Sequence, residues 1–359
     1  MTTCLAVIGA GLMGGGIALD AARHGIPVLV CDARPEGFEA LKARAAGVYG
    51  RWVKAGRMSA AEADAALARL MPASSLAALG GADLVIEAVF EDLKVKRDLY
   101  TALAPHLAPD AVLATNTSAL KVGALSEGFG FAARFLGLHY FSPAEVSPLV
   151  EVVRSSATSD QTVERAMDFL ARTRRTPLPC ADRPGFAINR FFCPYYNEAA
   201  RVVEEGLAGP ADVDQVARER LGVAAGPFTV MNLIRPAVAG HAQSNLSTLG
   251  PFYAPSERLL AQGRSGGDWP LEDRRPGADL DLVERRLLGA IAVPALELAR
   301  EQVADPDAVD RGAVLALKFR DGPFALMARY PRATLEAAVR EVCARTAHPA
   351  PSMPASPLA

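Results

Sequence analysis

The stretch "TCLAVIGAGLMGGGIALDAARHGIPVLVCDARP", residues 3–35, decides the fold of the first half of the chain. A short apolar strand runs into a glycine turn, a helix follows, and "PVLVCD" predicts a second strand. Three glycines have GxGxxG spacing between a strand and a helix, the context in which this motif binds a dinucleotide. A side chain at Gly11 would block the pyrophosphate from the positive helix N-terminus. The predicted cofactor turn comprises Gly9, Gly11, Leu12, Met13 and Gly14.

An acidic residue ends the second predicted strand. Asp32 follows the glycine turn by roughly 20 residues, where a carboxylate can accept hydrogen bonds from the adenosine ribose hydroxyls. A carboxylate at this place repels a 2′-phosphate, so we expect NAD rather than NADP as the cofactor. Arg34 follows closely and could weaken that preference.

Bulk composition is that of a globular chain. The 359 residues are 50% hydrophobic with a net charge of -2, enough for two domains with their own cores. Five scattered cysteines without a CxxC pair argue against a disulfide framework or a metal site. We expect a cytoplasmic protein, because the N-terminus lacks a basic leader and no apolar run is long enough to span a membrane.

The charge balance offers no broad basic surface for nucleic acid. A local basic cluster does follow the second strand, and we read it first as a solvated helix face. Its members are Lys42, Arg44, Arg51, Lys54 and Arg57.

Two further strand patterns, "ADLVIEAVFEDLKVKRDLY" and "AVLATNTSAL", run into polar loops. An open parallel sheet delivers such loops to the crevice at its carboxyl edge. The polar residues could also serve as helix caps or surface ion pairs. The candidates for facing cofactor or substrate are Glu87, Glu91, Lys96, Asn116 and Ser118.

Two polar residues interrupt apolar runs in "GLHYFSPAEVSPLVEVV", residues 137–153. His139 and Glu151 stand where Leu or Val would pack better. A lone histidine of this kind is commonly a satisfied core residue, and a strand glutamate commonly faces water. The pair is therefore a candidate site that needs other support.

Strand signals stop near Ala181, and helical periodicity takes over. The segment "GPADVDQVARERLGVAAGPFTVMN" recurs as "DPDAVDRGAVLALKFRDGPFALMA", so a duplicated helical unit is the economical explanation. We predict an α/β Rossmann-type dinucleotide-binding domain followed by an all-α domain of two related repeats. The predicted bounds are 1–181 for the first domain, 182–275 and 276–348 for the repeats, and 349–359 for a disordered tail.

The order and spacing of these motifs resemble the L-3-hydroxyacyl-CoA dehydrogenases. The resemblance covers roughly residues 4–230 and rests on "GAGLMGGGIA", "ADLVIEAVFEDLKVK", "NTSAL", "HYFSPAEVSPLVEVV", "DRPGFAINR" and "AAGPF". The fourth motif is most similar to the dehydrogenase part of multifunctional beta-oxidation enzymes, which often carry Ser where Ser142 stands and stand-alone enzymes carry Asn.

The resemblance implies a role for each candidate. His139 would be the general base and Glu151 its partner, while Ser118 and Asn189 would complete the substrate site. Asn189 could instead be a plain helix cap, since "PGFAINRFF" begins a helix. Residues near the nicotinamide and ribose would be Glu91, Lys96, Asn116 and Ser118. The residue types suit alcohol oxidation, since an imidazole can take the hydroxyl proton and a carboxylate can stabilise the imidazolium.

Two motifs depart from the family pattern. After "GPF" the family commonly shows a D-x-x-G run, whereas this chain has Asn232 and Arg235 in "NLIRP". The usual "GxKTGxGFY" is replaced by "GRSGGDWP". In the second repeat, Arg285 stands opposite Asn189, so that copy has no substrate amide. These departures affect the expected substrate more than the expected reaction.

We expect an NAD-dependent enzyme that interconverts (3S)-3-hydroxyacyl-CoA and 3-oxoacyl-CoA in fatty acid metabolism. The basic cluster lies where the family brings the CoA phosphates near the protein. The alternative is a dehydrogenase of a free 3-hydroxy acid or of a carrier-protein-bound acyl group. A further alternative is an NAD-binding regulatory protein without turnover. No metal is expected, and a homodimer through the helical domain is possible.

Overall fold

A computed structural model describes residues 4–353, which form two compact units, residues 4–182 and residues 183–353. The last residues of the predicted tail, 354–359, lie outside the described residues. Residues 349–353 have neither helix nor strand, and Pro351 among them is buried.

The first unit is built on one twisted sheet. Its strands are β1 Leu5–Ile8, β2 Val28–Cys31, β3 Leu70–Pro72, β4 Leu84–Glu87, β5 Val112–Thr115, β6 Phe135–Tyr140, β7 Leu149–Arg154 and β8 Thr176–Ala181. The strand order is β3-β2-β1-β4-β5-β6-β7-β8, and all neighbouring strands are parallel except the antiparallel pair β6 and β7. The strand order therefore reverses between β1 and β4, which marks the ligand crevice of an open parallel sheet.

α-Helices connect most of these strands along the chain. They are α1 Leu12–Arg23, α2 Gly37–Lys54, α3 Ala60–Ala68, α4 Leu93–Leu103, α5 Val122–Ser126 and α6 Asp160–Arg172. All residues of β1, β4 and β5 are buried, because helices cover both faces of a central parallel strand. This explains why those strands have continuous apolar runs rather than alternating ones.

The second unit is helical. Its helices are α7 Ile188–Glu204, α8 Pro210–Val216, α9 Pro227–Ile234, α10 Pro236–Ser244, α11 Glu257–Ser265, α12 Leu280–Arg300, α13 Pro306–Gly312, α14 Pro323–Ala328 and α15 Arg332–Thr346. The predicted Rossmann-type domain followed by an all-α domain is thus confirmed. In neither unit does a described helix have the length and apolar character needed to cross a membrane.

The duplication is visible in matching hydrogen bonds. The Asp214 carboxylate accepts from the backbone amides of Phe228, at 2.8 Å, and Thr229, at 3.0 Å. The Asp310 carboxylate accepts from the two equivalent amides at the start of α14, each at 2.8 Å. Both aspartates therefore cap the helix that begins at a "GPF" motif. A π-helical turn precedes each motif, at Ala217–Leu221 and at Ala313–Leu317.

The two repeats pack about a local two-fold relation. Val223 and its counterpart Phe319 form an antiparallel bridge with each other. Arg190 of the first repeat donates to Glu301 of the second at 2.7 Å, while Arg286 of the second donates to Glu205 of the first at 2.9 Å. Such an exchange of equivalent contacts is typical of an isologous interface. The second repeat thus acts as the packing partner of the first, within one chain.

The two departures from the family pattern contact each other. The Asn232 side chain donates to the Trp269 carbonyl at 3.0 Å and accepts from the Trp269 amide at 2.8 Å. An aspartate at position 232 could not make the first of these bonds. The Trp269 ring packs on Phe228, with ring centroids 4.8 Å apart. Asn232 is therefore matched to the altered segment "GRSGGDWP".

Candidate functional site

The glycine turn between β1 and α1 has the form that a dinucleotide requires. Gly9 has φ +99°, and a Cβ there would lie 2.7 Å from the Ala88 carbonyl oxygen. A Cβ on Gly14 would lie 1.9 Å from the Gly9 carbonyl oxygen, so only glycine lets α1 pack this closely on the turn. At Gly11, by contrast, a Cβ would meet nothing within 4 Å. The space above Gly11 is open at the N-terminus of α1, and a helix N-terminus of this kind suits an anionic group such as a pyrophosphate.

The next two residues of the predicted turn begin α1. The Leu12 side chain is exposed, and Met13 is half-buried. The exposed apolar Leu12 stands beside the open space at Gly11.

Asp32 lies directly after β2 and holds the same turn. Its carboxylate accepts from the Ala10 amide at 2.6 Å and from the Arg34 amide at 2.8 Å. Burial works against ionisation of Asp32, but these bonds and the Arg34 guanidinium outweigh it and hold the pKa of this carboxyl below its usual range. Carboxylate oxygens accept more than one hydrogen bond, so Asp32 can still bind ribose hydroxyls. Arg34 itself is largely exposed.

Glu87, at the end of β4, is fully buried and fully bonded. It accepts from Val89, Lys96, Tyr100 and Thr115, at 2.5–3.0 Å. The Lys96 ammonium lies 2.5 Å from Glu87 and 3.3 Å from Glu91, and only 1% of the Lys96 side chain is exposed. Lys96 is therefore not part of a surface ion pair, the alternative that the sequence had left open. Its charge neutralises the Glu87 and Glu91 carboxylates.

Glu91 organises the loop after β5. One of its oxygens accepts from the Thr117 hydroxyl at 2.6 Å and from the Ser118 and Ala119 amides at 2.8 Å and 3.1 Å. Burial alone would raise the pKa of Glu91, but the Lys96 ammonium and these hydrogen bonds bring it below its usual range. An ionised Glu91 thus fixes the backbone on which Ser118 stands.

Asn116 and Ser118 lie on this loop, and the lengths of their side-chain hydrogen bonds differ. The Asn116 side-chain oxygen accepts from the Tyr140 amide at 2.9 Å, which ties the loop to the residue after His139. The Ser118 hydroxyl is 3.4 Å from Glu91, a long hydrogen bond. Both side chains are half-buried.

His139 and Glu151 are brought together by strand register. They are direct partners in the antiparallel pair of β6 and β7, so their side chains lie on the same face of the sheet. His139 Nδ1 lies 2.6 Å from Glu151 Oε2. Glu151 is fully buried and His139 is 6% exposed. In such surroundings a charged hydrogen bond is stronger than in water.

Asn189 is the second residue of α7, in the second unit, and is half-buried. It is not the N-cap of that helix, because Ala187 holds this position. The remaining site residues, from Gly9 to Glu151, all belong to the first unit.

Several contributing residues escaped the sequence reading. Tyr100, Thr115 and Thr117 bind the Glu87 and Glu91 carboxylates, and nothing in their spacing distinguishes them from ordinary helix and strand residues. Glu145, in the motif that contains His139, is another, with a buried carboxylate. Across residues 4–353 no cluster of three or more His, Cys, Asp or Glu side chains is arranged to hold a metal ion.

The basic cluster divides into two kinds of residue. Lys42, Arg51, Lys54 and Arg57 are exposed on or just after α2. Arg44 is instead partly buried and pairs with Glu145 at 2.8 Å. Four of the five residues therefore remain available to an anionic ligand.

Comparison with known proteins agrees with this arrangement. Residues 4–183 match the family model "3-hydroxyacyl-CoA dehydrogenase, NAD binding domain", and residues 185–266 match "3-hydroxyacyl-CoA dehydrogenase, C-terminal domain". A 3-hydroxyadipyl-CoA dehydrogenase of Escherichia coli K12 is 40% identical over 233 residues, 64% of this chain. The match spans about half of that relative, 48% of its length.

Solved structures also resemble the chain, among them two 3-hydroxybutyryl-CoA dehydrogenases. A (S)-3-hydroxybutyryl-CoA dehydrogenase from Ralstonia eutropha is 29% identical with a TM-score of 0.73, covering 76% of this chain and 98% of that one. A 3-hydroxybutyryl-CoA dehydrogenase from Escherichia coli K12 has a TM-score of 0.88 and covers 99% of this chain and 97% of that one. At 24% identity the latter likeness concerns the fold alone.

Proposed function

The chain belongs to the 3-hydroxyacyl-CoA dehydrogenase family, whose cofactor is NAD, and from this premise we propose that it interconverts (3S)-3-hydroxyacyl-CoA and 3-oxoacyl-CoA. The single observation that carries the proposal is the cross-strand contact of His139 and Glu151, 2.6 Å between Nδ1 and Oε2. It stands on the same sheet as the open glycine turn, three strands away from β1.

The two residues suit the proton transfer of this reaction. With Nδ1 donating to Glu151, the other ring nitrogen, Nε2, carries the lone pair that accepts the substrate hydroxyl proton. The Glu151 carboxylate then stabilises the imidazolium. In the reverse direction His139 returns this proton to the carbonyl oxygen. Bound NAD supplies the hydride acceptor, or NADH the donor.

The loop after β5 suits the orientation of the substrate. Glu91 accepts a hydrogen bond from the Ser118 amide and so fixes the Ser118 backbone. The Ser118 hydroxyl is thereby positioned to donate to a substrate oxygen. Asn116 holds the backbone of Tyr140, next to His139. Asn189 as a donor to the thioester carbonyl stays a prediction from the family resemblance. So do direct cofactor contacts by Glu91, Lys96 and Asn116.

The substrate is proposed to be a CoA thioester, with the exposed members of the basic cluster near its phosphates. The name of the E. coli relative includes an adipyl group, an acyl chain with a terminal carboxylate, so such thioesters belong in the substrate panel. We place the protein in the cytoplasm and in beta-oxidation. A homodimer through the helical domain would need a surface other than the one that the two repeats already share.

The test is NADH oxidation by purified protein with acetoacetyl-CoA, a longer 3-oxoacyl-CoA, 3-oxoadipyl-CoA and free acetoacetate. We expect turnover with thioesters and little with the free acid. Turnover of the free acid at equal efficiency would favour the alternative of a free 3-hydroxy acid. Measurable NADH binding without turnover of any of these CoA thioesters would contradict the proposal.

A further inference from the structure

Arg44, on α2, contacts two separate parts of the candidate site. Its Nη1 donates to the Leu12 carbonyl at 2.8 Å, and its Nη2 donates to Glu145 Oε1 at 2.8 Å. Leu12 begins α1 on the predicted cofactor turn. Glu145 lies on the connection from β6 to β7, between His139 and Glu151 in sequence. One guanidinium thus joins the cofactor turn to the connection between the proposed catalytic residues.

The packing around Glu145 shows that this contact is built into the fold. The Glu145 side chain is 7% exposed, and among the described residues its Oε2 has no hydrogen-bond partner. A Cβ on Gly16 would lie 2.5 Å from this oxygen and 3.0 Å from the Ala144 Cβ. The connection therefore rests directly on a glycine of α1. A carboxylate this buried needs a cation, and Arg44 provides it.

The geometry requires an arginine in particular. The planar guanidinium presents donors in fixed, different directions, so it can bind the Leu12 carbonyl and the Glu145 carboxylate at once. A lysine ammonium is a single point of charge and would reach both acceptors only with a less favourable geometry. These two bonds also distinguish Arg44 from the exposed basic residues of the same cluster, for which the described residues provide no such fixed partners in the site.

We propose that Arg44 is a positioning residue that fixes the cofactor turn relative to the connection between His139 and Glu151, with Glu145 as its partner. The part that concerns turnover rests on the proposed function, whereas the part that concerns the turn does not. Loss of either partner frees the Leu12 end of the turn and the connection from each other. NADH affinity and the alignment of His139 with the substrate hydroxyl are then lost together.

The first test is NADH binding without any thioester, measured by fluorescence titration. We expect Arg44→Gln to raise the Kd for NADH about tenfold, the size of effect that follows from losing a charge-assisted bond. Arg44→Lys should recover part of this loss, since it keeps the charge beside Glu145. Lys94→Gln removes an exposed lysine of the same unit, whose partner Asp98 is also exposed, and should leave the Kd unchanged.

A double-mutant cycle tests the pairing itself. If Arg44 acts together with Glu145, Arg44→Gln combined with Glu145→Gln should raise the Kd by clearly less than the product of the two single effects. Strictly multiplicative effects would mean that the two residues act independently and would overturn the pairing. Circular dichroism melts identify variants that fail to fold, and in that case Arg44→Lys and Glu145→Gln carry the test.

Steady-state kinetics separates positioning from phosphate binding. A positioning role predicts a higher KM for NADH and a lower kcat in Arg44→Gln, with the KM for acetoacetyl-CoA within about twofold of wild type. A raised thioester KM with unchanged NADH affinity would instead make Arg44 a CoA phosphate ligand and overturn the inference. If wild type turns over no thioester but Arg44→Gln still weakens NADH binding, the proposed function fails and the role at the turn stands.

Discussion

His139 and Glu151 face each other in the one antiparallel step of the described sheet, paired Cα to Cα, with 2.6 Å between Nδ1 and Oε2. In an antiparallel pair, opposite residues point to the same face. A slip of one residue would turn one of the two side chains to the other face. The contact thus depends on the register of β6 and β7.

Removal of the proposed base should separate chemistry from cofactor binding. We expect His139→Gln to lower kcat by about a hundredfold or more, because general-base catalysis commonly contributes at least this much. Its Kd for NADH should stay near that of wild type, since the glycine turn follows β1, three strands away from β6. Glu151→Gln should also lower kcat, as a neutral amide stabilises the imidazolium less well. Near-normal turnover of His139→Gln would remove this residue from the mechanism.

The match between Asn232 and Trp269 predicts a stability effect. Asn232→Asp would lose the bond to the Trp269 carbonyl and set a carboxylate against that oxygen. We expect a loss of roughly 1–3 kcal/mol in the free energy of unfolding, measured by urea denaturation. Asp268→Asn, at the exposed neighbour of Trp269, changes the charge without removing this bond. It should leave the free energy of unfolding nearly unchanged. Equal effects of the two variants would contradict the explanation.

Arg235 has a backbone conformation that favours glycine. Its φ is +76° and its ψ is +131° between α9 and α10, and its side chain is exposed. A side chain in such a region costs about 1–3 kcal/mol. Arg235→Gly should therefore raise the Tm, whereas Arg235→Ala, which removes the side chain but keeps the Cβ, should not. A Gly variant no more stable than the Ala variant would rule out backbone strain as the cause.

The low pKa of Glu205 predicts that the helical unit loses stability at acid pH. Burial would raise the pKa of this carboxyl, but hydrogen bonds from Arg286 and Arg345 lower it from 4.5 to about 2. Its ionised form is therefore favoured in the folded state, and the stability it contributes is complete above pH 4.5 and is lost as the pH falls toward 2. Thermal melts across this window should show a weaker pH dependence for Glu205→Gln. The exposed neighbour variant Glu204→Gln should behave like wild type.

Much of the fold could be predicted because its signals are local. The strand, glycine turn and helix of residues 3–35 follow from apolar runs and glycine spacing. The repeated "GPF" motifs predicted the duplication. Asp214 and Asp310 then make the same cap in both copies. The candidates at the carboxyl edge of the sheet were also recognisable, since polar residues after buried strands collect there.

The sequence by itself determined the fold class, the cofactor turn and the set of candidate residues, because these depend on neighbours along the chain. Only the tertiary structure decided what each candidate does with its charge. Lys96 is buried between Glu87 and Glu91, Arg44 is paired with Glu145 instead of being exposed with the other basic residues, and Asn232 is hydrogen-bonded to Trp269. The physical reason is that a charge or amide is satisfied by partners distant in sequence, and no local pattern specifies which of them the packed chain brings within hydrogen-bond distance.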